Sequence, residues 1–106
     1  MWSFTHPDLD HVPLGVLLSA LADPARRVIV RRLAEDAEQG GDGLACSVAA
    51  PPDLPKATMS NHYTVLRSAG LVRGRKNGVQ VLHTLRREEV DRRFPGVLDA
   101  VLAVDE

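Results

Sequence analysis

The residues with the clearest capacity for chemistry are basic, and they are concentrated in one stretch of the chain. Between positions 56 and 87 there are seven lysine and arginine residues and no aspartate or glutamate. They are Lys56, Arg67, Arg73, Arg75, Lys76, Arg86 and Arg87. The remaining 6 basic and 14 acidic residues leave the rest of the chain at −8, so the formal net charge of −1 hides a segregated distribution. Such a cluster of cations is suited to phosphates or to another anionic surface.

Two short polar side chains inside this stretch have the chemistry needed to read a nucleic acid. Ser60 and Asn61 are small enough to let a backbone approach the edges of bases, and an asparagine can bond bidentately to adenine. The arginine and lysine residues that follow would supply the salt-dependent attraction to phosphates. The stretch therefore indicates a binding surface rather than a catalytic one.

Other reactive residue types give weaker predictions. Cys46 is the single cysteine, which excludes an internal disulfide and a zinc site made of cysteine pairs, and leaves a thiol-sensing role open. His62 is assigned to packing or to a phosphate contact, and His83 to a half-exposed position on a strand. His6 and His11 leave open a weak metal site completed by a partner. No nucleophile–base pair, phosphate loop or paired carboxylate is spaced for catalysis, so we expect neither an enzyme, nor a cofactor, nor a metal site.

The size and composition of the chain limit the classes of protein to which it can belong. With 106 residues and 11.5 kDa, the chain is predicted to form one domain, covering residues 1–106, of marginal stability without a partner subunit. Hydrophobic residues make up 44% and charged residues 25%, which is ordinary globular composition. Aromatic residues make up only 4%, which argues against an aromatic cage or a base-stacking surface. No signal peptide or membrane span is recognisable, and the sequence predicts a cytoplasmic protein with no membrane partner.

The spacing of hydrophobic residues, together with capping, proline and turn residues, predicts six helices and one hairpin. Asp23 and Pro24 form a helix-start signal, since aspartate caps the backbone and proline is favoured at the first helical position. Asn77-Gly78 predicts a type I′ hairpin turn, and Pro51-Pro52 must end any helix before it. The predicted helices cover residues 12–21, 24–37, 44–50, 56–69, 86–94 and 95–104, and the predicted strands cover residues 71–75 and 79–85.

The predicted helix at residues 56–69 has two different faces. Met59, Tyr63 and Leu66 recur at helical spacing and predict a buried stripe, whereas Ser60, Asn61 and other polar side chains lie opposite. A helix with a small polar face fits the major groove of duplex DNA, and a basic hairpin directly after it can reach the flanking phosphates. The order of elements therefore favours a DNA-binding helix followed by a basic wing.

Two segments resemble the ArsR/SmtB family of bacterial winged-helix repressors. Residues 22–27 read ADPARR, similar to the start of the second helix in that family. Residues 58–72 read TMSNHYTVLRSAGLV and follow the family signature T-[VL]-S-x-H-[LF]-x-[VL]-L-R-x-A-G-L-V. The similarity extends over roughly residues 14–85, and it implies a mainly α-helical winged helix-turn-helix with a small β-hairpin, a recognition helix at residues 56–70 and a wing at residues 71–85.

The resemblance also implies roles for particular residues. By position in the family motif, Lys56, Ala57, Ser60 and Asn61 would face bases, and Arg67, Arg73, Arg75 and Lys76 would lie near phosphates. Thr58, His62 and Thr64 on the same helix complete the predicted DNA-binding set. Family members dimerise through their first and last helices, here about residues 12–21 and 95–104. The dimer interface predicted on that basis consists of Val12, Val16, Leu17, Leu21, Val97, Leu98, Val101 and Leu102.

The chain departs from the family pattern at several points. Pro55 stands where the recognition helix often has a serine or threonine cap, and the helix before it is short and followed by two prolines. Many members bind metals through paired cysteines in that preceding helix or through histidines and carboxylates in the last one. Here Cys46 is alone and residues 86–106 contain no histidine, so the sequence does not support those metal sites.

The sequence as a whole predicts a homodimeric, sequence-specific DNA-binding transcriptional regulator, a repressor that binds an inverted-repeat operator in double-stranded DNA at the bacterial nucleoid. The alternative is a winged-helix module for protein–protein interaction, in which the basic segment meets an acidic protein surface. An unidentified small-molecule effector at the dimer interface is compatible with the main hypothesis, and nothing in the sequence names it.

Overall fold

The computed structural model describes Phe4 and residues 6–104. Over these residues the chain forms six α-helices, three β-strands and one short 3-10 helix. The 3-10 helix is Leu9–His11, and the other elements are α1 (Leu14–Ala20), α2 (Pro24–Glu38), β1 (Leu44–Ala45), α3 (Cys46–Ala49), α4 (Lys56–Ser68), β2 (Val72–Asn77), β3 (Gln80–Leu85), α5 (Arg87–Arg93) and α6 (Val97–Leu102). The strands form a small antiparallel sheet in the order β1-β3-β2, against which α2, α3 and α4 pack. The architecture is a winged helix-turn-helix, as predicted.

Helix α2 is the central support of the fold. Its start is the predicted one, because the Asp23 carboxylate accepts hydrogen bonds from the backbone N–H groups of Ala25 and Arg26 at 2.8 and 3.4 Å. Ile29, Val30 and other apolar residues on one stripe are buried. This stripe contacts β3, α3 and α4, so α2 positions both halves of the candidate DNA-binding unit.

The segment before α4 differs from the sequence prediction. Two helical turns were expected over residues 44–50, but Leu44 and Ala45 pair with His83 and Leu82 of β3 and form β1. The helix that remains, α3, has four residues and ends before Pro51. Pairing with a strand almost forty positions away is a non-local event that helical periodicity does not record, which explains the error.

The hairpin exists, but its turn lies one residue later than predicted. Asn77 pairs with Gln80, so the two central residues are Gly78 and Val79 rather than Asn77 and Gly78. Gly78 has a φ of +67°, whereas no positive φ is found at Val79. A positive φ at the first central residue only is the pattern of a type II′ turn, not type I′.

Residues 6–12 are held by arginine side chains from α5 and the residue before it. Arg86 donates to the carbonyl oxygen of Pro7 at 2.8 Å. Arg93 donates to the carbonyl oxygens of Leu9 and Val12 at 3.1 and 3.4 Å. These bonds satisfy the Pro7 and Val12 carbonyl groups, whereas the Leu9 carbonyl also accepts from the backbone N–H of Val12.

Helices α1 and α6 are shorter than predicted, and the structure divides their apolar residues between two environments. Val12, Leu17, Leu21 and Leu98 were predicted to form a dimer interface, but at most 4% of each is exposed and all four belong to the core of the subunit. Val97, Val101 and Leu102 are half-buried against that core, and Val16 is 44% exposed. Helical spacing identifies apolar residues but does not say which of two apolar faces the subunit itself covers. No helix in the described part of the chain is long and apolar enough to cross a membrane.

Candidate nucleic-acid interface

Helix α4 presents a continuous polar face to solvent. Six of the predicted contact residues on this helix are exposed: Lys56, Ala57, Thr58, Ser60, Asn61 and Thr64. The opposite face buries His62, Tyr63 and Leu66. The Thr64 hydroxyl donates to the carbonyl oxygen of Ser60 at 3.1 Å, so it is already engaged within the helix. The exposed face is smooth because its side chains are short, apart from Lys56 at its N-terminal end.

Tyr63 fixes the orientation of α4 relative to the rest of the helix-turn-helix. Only 1% of this residue is exposed, and its hydroxyl donates to the carbonyl oxygen of Cys46 at 2.8 Å. Its ring lies 4.5 Å from that of His83 on β3, measured between centroids. Burial raises the pKa of Tyr63, which keeps the hydroxyl protonated as a donor. One side chain therefore ties α4 to α3 and to the sheet.

Arg67 links α4 to the wing, the name used here for the β2–β3 hairpin. Its Nη1 group lies 2.9 Å from Nε2 of His83, and its Nη2 group lies 3.4 Å from the Thr64 hydroxyl oxygen. The guanidinium carbon is 4.4 Å from the centroid of the Phe4 ring, in cation–π geometry. Among the described residues no carboxylate pairs with Arg67, and burial lowers its pKa. The side chain is thus a half-buried cation held by neutral groups.

The protonation state of His83 follows from these contacts. Because a guanidinium only donates, Nε2 of His83 must accept from Arg67, which places the proton on Nδ1. Nδ1 lies 3.7 Å from the Cys46 sulfur. Burial and the neighbouring Arg67 and His6 lower the pKa of His83 to about 4, so the ring is neutral at pH 7. The predicted half-exposed position is wrong, since His83 is fully buried.

The arginine residues of the wing are exposed but already paired with acidic groups. Arg73 lies 3.3 Å from the Glu89 carboxylate. Arg75 reaches both the carboxylate and the carbonyl oxygen of Asp42 at 2.7 Å. Lys76, next to the turn, is also exposed. Contact with a phosphate would therefore exchange one anion for another at each arginine.

Two other members of the basic segment are bound to acidic groups of α5 and α6. Arg86 is buried and pairs with Glu89 at 2.6 Å, and this pair holds the pKa of Glu89 at about 2. Arg87 pairs with Asp91 on its own helix and with Asp99 on α6. Of the seven cations in the segment, five lie on or beside the face formed by α4 and the wing.

The structure places His62 inside the protein rather than on the exposed face of α4. Only 6% of His62 is exposed, and its Nδ1 atom lies 3.2 Å from Nη1 of Arg26. Arg26 also donates to the carbonyl oxygen of Ala20 at the end of α1. The burial of His62 is at odds with a DNA contact and agrees with its alternative role in packing, because positions 61 and 62 lie on different sides of a helix.

The remaining histidines and Cys46 differ in their surroundings. His6 accepts a hydrogen bond from the backbone N–H of Gly74 at 3.0 Å, and burial lowers its pKa. His11 is exposed, and Cys46 is half-buried with a thiol pKa raised by burial. In the part of the chain that the structure describes, no group of three or more His, Cys, Asp or Glu side chains could hold a metal ion.

Sequence reasoning missed the residues that surround the predicted cations. Glu89 follows Arg86 by three positions, a spacing that could have indicated the pair on a helix. Asp42 and Phe4 carry no comparable signal, because loop closure brings them to Arg75 and Arg67 across 33 and 63 positions of sequence.

Comparison with known proteins agrees with this geometry. A protein family described as a helix-turn-helix domain matches residues 21–75. The chain is 36% identical over 95 residues to the HTH-type transcriptional regulator CmtR of Mycobacterium tuberculosis and of Mycobacterium bovis. The aligned region covers 87% of this chain and 74% of CmtR. It is also 34% identical over 62 residues to an uncharacterized HTH-type transcriptional regulator of Methanocaldococcus jannaschii, which covers 58% of this chain and 65%, just under two thirds, of that protein.

Proposed function

This chain belongs to the helix-turn-helix family of transcriptional regulators, and on that premise we propose that it is a homodimeric repressor of the ArsR/SmtB type that binds an inverted-repeat operator. DNA binding in transcriptional regulation is the property of the family. The subtype, the sign of regulation and the dimer are the parts that we propose. Its role is binding rather than catalysis.

The observation that carries the proposal is the combination of a smooth polar face on α4 with a cationic wing beside it. A recognition helix enters the major groove with its N-terminal residues towards base edges. We assign base contacts to the exposed residues nearest that end, namely Lys56, Ala57, Thr58, Ser60 and Asn61. Thr64 lies one turn further along. Arg67, Arg73, Arg75 and Lys76 are assigned to phosphates. Residues 1–106 act as one winged-helix domain in this proposal.

The ion pairs of the wing support a binding mode in which contacts with bases contribute more than electrostatic attraction to phosphates. Arg73 and Arg75 release Glu89 and Asp42 when they bind phosphates, so the gain from each contact is reduced by the lost pair. With a net charge of −1 the whole chain also has little attraction to DNA at long range. We therefore expect weak non-specific binding and strong dependence on sequence.

Exposed apolar side chains on α1 and α6 support a homodimer. Leu14 and Leu18 lie one turn apart on α1 and are 43% and 42% exposed, and Val104 after α6 is 60% exposed. Leu18, Val101 and Val104 line one groove between the two helices. A second copy packed on this surface by a two-fold axis would present two α4 helices to successive major grooves about 34 Å apart. Repression would then follow from occlusion of the promoter, in the cytoplasm at the nucleoid.

A gel mobility shift with the DNA upstream of the protein's own gene, together with duplexes selected from a random pool, tests the DNA-binding part. We expect selected sites to be inverted repeats with half-sites about one helical turn apart. Selection of single, unpaired half-sites would contradict the dimeric binding mode. Selection of no duplex at all would favour a role in protein–protein interaction.

Sedimentation tests the dimer directly. Leu18→Asp places a charge on the proposed interface, and we expect it to convert the dimer to a monomer. Val48→Asp is the matched control, because Val48 is 58% exposed on α3 and away from α1 and α6. A dimer that survives Leu18→Asp, or a wild-type monomer at micromolar concentration, would refute this interface.

A further inference from the structure

A pocket between α4 and the wing has the features of a ligand site. It has a volume of about 270 Å³, below the range of pockets for drug-sized ligands. Apolar groups form most of its wall, from Phe4, Met59, Tyr63 and Val81, and two cations, Lys56 and Arg67, lie on it. No aspartate or glutamate among the described residues lines it. The pocket is thus small, mostly apolar and positively charged.

Arg67 is the observation that points to an anion. It is half-buried, and its hydrogen-bond partners are the neutral ring of His83 and the hydroxyl of Thr64. A guanidinium has five donors, and these two contacts leave most of them without a partner in the described part of the chain. Cations removed from water are normally paired with an anion. Here the pocket offers the position for that anion, and Lys56 is the second cation beside it.

The apolar wall determines what kind of anion fits. A phosphate of the DNA backbone or an inorganic ion would meet Arg67 but would leave the surfaces of Phe4, Met59 and Val81 uncovered. A carboxylate attached to a small aromatic or aliphatic body would satisfy the guanidinium and fill the apolar space. We propose that this pocket binds a small organic carboxylate, and that the bound carboxylate releases the protein from DNA.

The position of the pocket connects its occupancy to the proposed DNA contacts. Lys56 and Ser60 line the pocket and are also exposed on the polar face of α4, while Val81 and His83 belong to the wing. A bound carboxylate would neutralise Arg67 and Lys56 and would lie between the two elements that must contact the same duplex. The release of the protein from DNA is the part of this proposal that rests on the proposed function. We expect saturating ligand to weaken operator binding by at least about fivefold, the lower end of usual allosteric coupling.

Calorimetric titration of the full chain with benzoate, indole-3-acetate and hexanoate tests the site without DNA. We expect at least one of the three to bind one per subunit with a Kd below about 1 mM. Benzamide, which has the shape of benzoate without its charge, should bind at least about tenfold more weakly, because a hydrogen bond to a charged group is lost. Absence of binding by all three carboxylates, or equal binding of benzoate and benzamide, would overturn the proposal.

Two variants locate the site. Val81→Phe fills the pocket and should abolish binding, whereas Val79→Phe makes the same change at the exposed tip of the same hairpin and should leave binding unchanged. Lys56→Met, at an exposed position where substitutions change stability little, should weaken carboxylate binding by about fivefold or more. Equal affinities of the Val81→Phe and Val79→Phe proteins, with both folded by circular dichroism, would place the ligand elsewhere and refute the site.

Fluorescence anisotropy with a labelled selected duplex then separates the two proposals. Release of the wild-type protein by the carboxylate that binds, and not by an equal concentration of inorganic phosphate, supports the effector role. Equal release by phosphate would mean that the pocket receives the DNA backbone, and it would overturn that role. A chain that binds the carboxylate but no duplex would refute the proposed function and leave the carboxylate site supported.

Discussion

Replacement of Asn61 by alanine is the sharpest test of the base contacts proposed for α4. Asn61 is exposed, and its side chain makes no hydrogen bond within the part of the chain that the structure describes. A surface substitution of this kind changes the free energy of unfolding by no more than about 0.5 kcal/mol. We therefore expect Tm to move by less than about 4 °C, so any change in DNA affinity reports the lost contact.

The size of the expected effect follows from the geometry of a bidentate contact. A good amide–adenine pair contributes about 1–3 kcal/mol of discrimination against the wrong base. That range corresponds to about 5–150-fold in affinity for one half-site. In a symmetric dimer the residue occurs twice, so a symmetric operator should lose about 2–6 kcal/mol if the half-sites act independently.

The assay compares the operator with duplexes that carry one changed base pair in each half-site. Wild type should discriminate against one particular position, and Asn61→Ala should lose discrimination there while its dependence on salt stays the same. Ser68→Ala is the matched control, because Ser68 is exposed on the last turn of α4, far from the end that is proposed to enter the groove. If Asn61→Ala keeps the base preferences of wild type, the assignment of Asn61 to base reading is wrong.

Three other predictions concern the wing and the core. Arg75→Gln should weaken binding to all duplexes alike and lower the slope of log K against log salt by about 0.9 per subunit, or about 1.8 for a dimer. Asp42→Asn should strengthen binding to all duplexes, because it frees Arg75 from its ion pair. A change confined to one sequence would contradict a phosphate contact. Tyr63→Phe should lower the free energy of unfolding, in urea titrations, by about 0.5–1.5 kcal/mol, since the Cys46 carbonyl oxygen keeps its helical N–H partner. His83 has a pKa of about 6.5 in the unfolded chain but of about 4 in the folded protein, so the unfolded chain binds the extra proton first as the pH falls. The free energy of unfolding should therefore decrease by on the order of 3 kcal/mol as the pH is lowered from about 6.5 to about 4. An NMR titration in which the His83 ring of the folded protein takes up its proton at pH 6–7 would refute this prediction.

The sequence predicted those parts of the fold that depend on local signals. Asp23 and Pro24 gave the start of α2 because a capping carboxylate and a proline act within one helical turn. The polar and buried faces of α4 were predicted correctly because helical spacing alone separates Asn61 from Tyr63. Pro51 ended α3 as expected, since proline removes a donor from the helix.

What the sequence could not predict depends on contacts between distant positions. Leu44 became a strand residue because β3 passes beside it, and Leu17 became a core residue because the subunit covers that side of α1. The candidate interface shows the same limit. The cations were visible in the sequence, but Arg86 is turned inward and Arg75 is paired with Asp42, which only the folded chain brings together.

The arginine bonds that hold residues 6–12 have a consequence for the order in which the protein matures on the ribosome. The donors, Arg86 and Arg93, are synthesised about eighty positions after the Pro7, Leu9 and Val12 carbonyl groups that they bind. At about 5–20 residues per second, those carbonyl groups wait several seconds for their partners. The helix-turn-helix, which ends at Ser68 and is built from contacts closer in sequence, can form in the meantime. We expect a nascent chain stalled before position 86 to leave residues 6–12 without these bonds, whereas the end of α1 is already held by Arg26 through the Ala20 carbonyl oxygen.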